Sequence, residues 1–225
     1  MKLFPKCLHL SDPHLPYTNM RYWEAAAEFN KTFKADFVYS SGDFLDQYAL
    51  SRFPKKVRSD NGHVEILKCI PQVKRIKALY GFDEMVIMKG NHDDRINKRA
   101  QDAGISDLWI RDALEMIGAP KGWKWADEAF IKAGPAILTH GFLGDRKKHA
   151  EWFNHNVIHG HLHAKLGLEF FQRNGSAIWV LCVGCMADRH AMPLQYGPIS
   201  KFSTMTPGFG YTDEHGNPHV IHLRG

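Results

Sequence analysis

The sequence predicts an α/β fold in which two mixed β-sheets pack face to face with helices outside, a four-layer αββα sandwich. Three observations predict it. Short apolar runs end repeatedly at polar clusters, as buried strands do when they deliver side chains at their C-terminal ends. Segments with helical periodicity lie between the early runs, so strand, helix and strand alternate as crossover units. The last third changes to strands separated by tight turns, which adds a meander to the crossover half.

The first strand is expected from Cys7 to Leu10, ending at Ser11-Asp12. Tyr22, Ala26, Phe29 and Phe33 then share one face of a helix that Thr18 or Asn19 can cap. A second strand, Phe37 to Tyr39, leads into Ser40-Ser41-Gly42-Asp43. Ile66, Ile70, Val73 and Ile76 mark a second helix, kinked or restarted at Pro71 and stopped at Gly81. The third strand, Met85 to Met88, runs into Lys89-Gly90-Asn91-His92. From Ile96 to about Ala126 the pattern reads as mostly helical, interrupted at Pro120 and Gly122, with Leu108, Ala113, Leu114 and Ile117 as packing positions. Two further runs, Ala136 to Leu138 and Val157-Ile158, end at Thr139-His140-Gly141 and at His159-Gly160-His161-Leu162-His163. Leu168 to Phe171, Ala177 to Val183 and Val220 to Leu223 complete the strands, with turns at Arg173-Asn174-Gly175 and His215-Gly216-Asn217.

With 225 residues, 44% hydrophobic and 24% charged, the composition is that of an ordinary globule, and one domain spanning 1–225 is the simplest expectation. No run approaches the roughly 18 apolar residues that a membrane span needs, and the opening Met1-Lys2-Leu3-Phe4 lacks the apolar centre of a signal peptide. The four cysteines are too few and scattered for a disulfide framework, so reduced thiols in a cytoplasmic protein are expected. A net charge of +5 slightly favours a polyanionic partner without demanding one.

The chemistry lies at the strand ends. Asp12 and His14, one residue apart, point the same way if the segment is extended, and so do His161 and His163. Asp43 follows Gly42, and a carboxylate there can bridge two cations, one on each oxygen. Asn91 follows Gly90, a residue that allows a sharp turn and so aims a neutral oxygen ligand. Each pattern alone is also an ordinary turn or cap. Together, Asp-x-His, Gly-Asp-x-x-Asp, Gly-Asn-His-Asp, Thr-His-Gly and Gly-His-x-His stand in order, each after a strand.

This set resembles the calcineurin-like metallophosphoesterase superfamily from Asp12 to His163. The resemblance implies one divalent ion held by Asp12, His14 and His163 and a second by Asn91, His140 and His161, with Asp43 between them. Mn²⁺ is the leading metal, with Fe, Zn²⁺ or Ni²⁺ as alternatives, since mixed imidazole and oxygen ligands suit borderline transition metals. It further implies phosphate-ester hydrolysis by a metal-bridging hydroxide, with His92 stabilising or protonating the departing alkoxide and Asp46 orienting His92. Arg95 is either a phosphate clamp or a surface ion pair, and Asp93 and Asp94 read as structural.

A phosphodiesterase acting on DNA, RNA or a nucleotide is the leading expectation, a monoesterase or protein phosphatase the alternative, and a non-catalytic scaffold the option of another class. The motifs Gly42-Asp43-Phe44-Leu45-Asp46-Gln47 and Gly90-Asn91-His92-Asp93 depart from those of the family's Ser/Thr protein phosphatases. The compact layout is similar to phosphoesterases of bacteriophage and bacterial genomes, which implies the cytoplasm, the host's in the phage case. Cys182-Val183-Gly184-Cys185 lacks a second pair and reads as structural. Trp109, Trp123, Trp125 and Trp152 read as packing, Lys55-Lys56-Val57-Arg58 as a solvated loop, and His190 as the remaining histidine to place near substrate.

Overall fold

The computed structural model describes residues 2–57, 59–80, 83–191 and 205–224. Strand β1 (Cys7–Leu10) is followed by helix α1 (Met20–Phe33), β2 (Phe37–Ser40), α2 (Gly62–Tyr80) and β3 (Glu84–Ile87). Then come α3 (Arg95–Asp102), α4 (Ala113–Met116), β4 (Gly122–Trp125), β5 (Phe130–Ala133), β6 (Ala136–Thr139), α5 (Arg146–Phe153) and β7 (Val157–His159). Strands β8 (Gly167–Arg173), β9 (Ser176–Cys182), β10 (Gly208–Thr212) and β11 (Pro218–His222) close the order.

One sheet runs β11-β10-β1-β2-β3-β4, with β1 to β4 parallel and β10 and β11 antiparallel additions. The other runs β5-β6-β7-β9-β8, with β6, β7 and β9 parallel. Three apolar layers follow from the two-residue alternation of strand side chains. Leu8, Leu10, Val38, Met85 and Ile87 face outward from the first sheet onto Tyr22, Trp23 and Ala26 of α1 and Cys69, Val73 and Ile76 of α2. Tyr39, Met88 and Val220 meet Leu138, Ile158, Trp179 and Leu181 between the sheets. Val157, Ile178 and Val180 pack against Ala150 of α5 on the far side. The expected four-layer αββα arrangement is the one observed.

Asn19 is the N-cap of α1, its side chain accepting from Arg21 N–H. Helix α2 runs unbroken through Pro71, and the stop expected at Gly81 lies outside the described residues. The hairpin turn at Asn174-Gly175 has both residues at positive φ, +49° and +79°, as a type I′ turn requires.

The main departure lies between residues 96 and 126. Instead of mostly helix, this segment holds two short α-helices, a 3₁₀ turn at Asp107–Trp109 and β4, whose Met85↔Trp123 and Ile87↔Trp125 pairing extends the parallel sheet. Leu114 and Ile117 are buried as expected, but Leu108 is exposed. Strand pairing supplied the hydrogen bonds that overrode the local helical pattern.

Candidate metal centre

Parallel strands bring their C-terminal ends to one edge, and the loops after β1, β2, β3, β6 and β7 converge there. Backbone bonds lock them together: Asp12 N–H donates to Gly42 O at 3.0 Å, His14 N–H to Asp43 O at 3.0 Å, and Gly160 N–H to His140 O at 3.0 Å.

Local geometry differs from the extended segments expected at Asp-x-His and His-x-His. Asp12, His14, Asp43 and His161 all have left-handed backbones, with φ of +48°, +50°, +46° and +65°. Such a conformation costs a non-glycine residue on the order of 1 kcal/mol, and the interlocked loops impose it. Gly90 also works differently from the expected turn. A Cβ there would collide with Asp43 Oδ1 and backbone N, so the residue permits close approach. Gly160 does the same against Ser11 and Asp12.

Two groups of ligand atoms meet at Asp43, and a third, of His14, Asp46 and His92, borders them. Asp12, His14, Asp43 and His163 bring one atom each within 4.8 Å of one another, and so do Asp43, His140 and His161. In the first, His14 Nε2 and His163 Nε2 stand 3.1 Å apart, and His163 Nε2 is 3.1 Å from Asp12 Oδ1. In the second, His161 Nδ1 is 3.2 Å from His140 Nε2, which is 3.4 Å from Asn91 Oδ1 and 3.4 Å from Asp43 Oδ2. Nitrogen edges turned toward one another in this way fit ligation of a shared cation. The donor set therefore suits two divalent ions.

Surrounding bonds select which atoms face the centre. His14 gives its Nδ1 to Asp46 Oδ2 at 3.0 Å and His140 its Nδ1 to Ser41 O at 2.9 Å, freeing both Nε2 atoms. Asp12 Oδ2 accepts from Ser11 Oγ and from His161 N–H, leaving Oδ1. Asp43 Oδ1 accepts from His92 N–H at 2.8 Å. Oδ2 alone therefore looks toward both groups, 3.8 Å from His14 Nε2 and 3.4 Å from His140 Nε2.

Charge follows the same lines. Burial opposes ionisation of Asp43, but His140 and His92 outweigh it and hold the carboxyl well below its usual range. Burial likewise raises Asp12 while His163 draws it below normal. His140 is lowered by burial and raised more by Asp43, to about 10, a proton that a bound cation would displace.

His92 stands beside these groups, its Nε2 4.0 Å from Asp43 Oδ2. Its Nδ1 is 3.4 Å from Asp46 Oδ2, close enough for an ion pair but without hydrogen-bond geometry, so Asp46 grips His14 more directly. Arg95 donates from Nη1 to Asp46 O at 2.8 Å and from Nη2 to His92 Nε2 at 3.1 Å. It also pairs with Asp46 Oδ1 at 3.3 Å, a largely buried ion pair at the centre's edge. Burial raises Asp46, but His14 and His92 pull it further down.

Asp93 has a structural role, as expected. Its buried carboxylate accepts from the backbone N–H groups of Phe44 (3.1 Å), Leu45 (2.7 Å) and Gly90 (2.9 Å), tying the Asp43 loop to the Asn91 loop. Burial and the nearby Asp43 push Asp93 up to about 7 against those three donors. In the sequence, the only signal of this role was an acid beside His92. Cys182 and Cys185 are buried free thiols outside both ligand groups. His190 is exposed, bonded to Asp188 and Arg189 and likewise outside them.

A family model described as calcineurin-like phosphoesterase matches residues 5–182. The chain belongs to the calcineurin-like phosphoesterases. The match takes in every strand-end motif of the centre. Solved structures similar to it include vacuolar protein sorting 29 from Cryptosporidium parvum, 16% identical over 98% of this chain and 97% of that one, with a TM-score of 0.45. The phosphoesterase YfcE from E. coli is 14% identical over 97% and 100%, with a TM-score of 0.41. The nuclease MPE from Pseudomonas putida is 16% identical over 96% and 87%, also at 0.41. Among curated proteins no sequence matches the chain.

Proposed function

We infer that this phosphoesterase holds two divalent ions, Mn²⁺ foremost, and hydrolyses phosphodiesters, with nucleic acid or nucleotides as the substrate class. The observation that carries the reading is the sharing of Asp43 Oδ2 by two complete ligand groups with the imidazole of His92 at their edge. Two bound ions supply charge neutralisation for the phosphate and an acidified water for in-line attack. Asp12, His14 and His163 hold one side of the centre and Asn91, His140 and His161 the other, with Asp43 between. Asp46 fixes the His14 tautomer and keeps His92 facing the scissile phosphate. Once Arg95 Nη2 has left it, His92 Nε2 can take up a proton and pass it to the departing oxygen. Arg95 reaches a phosphate oxygen by releasing its Nη2 contact with His92. No described helix is long and apolar enough to cross a membrane, and the four free thiols fit the cytoplasm, the host's if a phage carries the gene.

A panel of bis-(p-nitrophenyl) phosphate, p-nitrophenyl phosphate, cyclic nucleotides, DNA, RNA and a phosphopeptide, assayed with Mn²⁺ and other divalent ions, tests this reading. Preferential cleavage of diesters supports it. Preference for p-nitrophenyl phosphate or the phosphopeptide overturns the diesterase assignment, and silence with no metal bound points to a scaffold.

A further inference from the structure

The tryptophans expected to pack divide in the structure. Trp123 is buried, whereas Trp152 on α5 is 67% exposed and stands beside Phe142, 55% exposed. Phe142 lies two residues past the ligand His140, on the loop leaving β6. Its ring meets Trp152 edge to face, 5.7 Å between centroids at 86°, and on its inner side lies 6.0 Å from buried His149. His149 stacks on His159 at 4.1 Å and 10°, and His159 is two residues before the ligand His161. A ladder of rings rooted beside the metal centre thus fixes Phe142 from below, while Phe142 and Trp152 stay open to solvent. Two adjacent large aromatics left exposed mark a contact surface.

Charge narrows what it contacts. Lys148 and Trp152, four residues apart on α5, share a helix face, and Lys148 Nζ reaches back over Gly144 of the same loop. Lys165, two residues past ligand His163, joins Arg146, Lys147, Asp145 and Glu169 around a cleft of about 260 Å³. Arg146 is bound to Glu169 at 3.1 Å, but Lys147, Lys148 and Lys165 form no ion pair among the described residues. Open aromatic faces beside unpaired ammonium groups suit a single strand, whose bases expose π-faces and whose linkages are anionic.

We propose that Phe142 and Trp152 form a stacking platform for a base of single-stranded nucleic acid, whose backbone follows Lys147, Lys148 and Lys165 to the metal centre. This deepens the phosphodiesterase reading and rests on it for the role of the bound strand. Stacking is indifferent to base identity, so the platform takes pyrimidines and purines alike and excludes paired duplex, whose faces are covered.

The test uses the full chain with Mn²⁺ and a fluorescein-labelled, hydrolysis-resistant phosphorothioate oligothymidylate, read by anisotropy and tryptophan emission. Trp152→Ala should weaken binding about ten-fold, Trp152→Phe should keep most of the affinity but lose the emission quench, and Trp109→Ala, at an exposed site on the α3–α4 connection, should match wild type. Competition with oligouridylate and with duplex DNA separates RNA, DNA and double-stranded ligands. No binding by wild type, equal binding by Trp152→Ala, equal loss in Trp109→Ala, or preference for duplex overturns the proposal. So does a Trp152→Ala variant that turns a dimer into monomers without changing oligonucleotide affinity. Hydrolysis of bis-(p-nitrophenyl) phosphate by wild type is measured alongside. Its absence with Trp152-dependent binding intact sinks the catalytic reading and leaves the platform standing, and the reverse result does the opposite.

Discussion

Replacing Asp93 with Asn should destabilise the chain and loosen its metal centre, although Asp93 is in neither ligand group. Oδ2 accepts from both Phe44 N–H and Gly90 N–H, and Oδ1 from Leu45 N–H. An asparagine keeps one acceptor oxygen and turns an NH₂ group against the remaining backbone donor. In the better orientation the Leu45 bond is lost and one buried N–H is unsatisfied, a penalty of about 1–3 kcal/mol before the opposing donors are counted. Relief of the burial and Asp43 repulsion that push this carboxyl up to about 7 offsets the lost charge assistance, so about 2 kcal/mol is expected. At about 2–4 °C per kcal/mol for a chain of this length, Tm should fall by about 4–8 °C. Circular dichroism melts in EDTA read this without a contribution from metal binding. Asp94→Asn serves as the reference, since among the described residues the Asp94 side chain bonds only to Asn97 and Lys98 at the surface, and it should shift Tm by no more than about 2 °C. An Asp93→Asn variant that melts like Asp94→Asn refutes the reasoning.

Three further outcomes follow from the same geometry. His92→Ala should lower kcat on a diester about 10²–10⁴-fold while metal content by elemental analysis stays near wild type, because His92 lies at the edge of the ligand groups; loss of metal would make it a ligand instead. Asp46→Asn should weaken metal affinity about 10–100-fold in calorimetric titrations through its grip on His14 Nδ1, and an unchanged affinity would remove that role. Glu65, raised by burial to about 7, binds a proton in the folded state between pH 4.5 and 7 that the unfolded chain has released. Its contribution to stability therefore falls as pH rises through that window, by about 1–2 kcal/mol after allowing for solvent screening. Glu65→Gln, which can still accept from Ala49 N–H and Tyr17 Oη, should raise Tm by a few degrees at pH 8 and little at pH 4.5, and an equal shift at both values would contradict this.

What was legible in the sequence is what depends on local pattern. Val157-Ile158 before His159-Gly160-His161 reads as a strand end because a buried apolar run stops at polar residues, and parallel strands then gather such ends at one edge. Strand β4 was hidden because Gly-Trp-Lys-Trp is four residues at a sheet edge, following Leu114 and Ile117, whose spacing is helical. Backbone conformation at the ligands was hidden for another reason. Positive φ at Asp12, His14 and His161 is imposed by neighbouring loops, and nothing in these residue types announces it. The same holds for Asp93, whose three donors come from residues 3 to 49 positions away. Exposure at Trp109 and Trp152 against burial at Trp123 likewise depends on which elements cover them, which composition does not record.

The central claim is that one shared carboxylate organises two cation sites. Calorimetric titration of the metal-free chain with Mn²⁺, repeated on Asp43→Ala, tests it most directly. Wild type should bind two ions per chain, and Asp43→Ala should lose tight binding at both sites. A wild-type chain that takes up one ion or none, or an Asp43→Ala chain that still binds two, would contradict it.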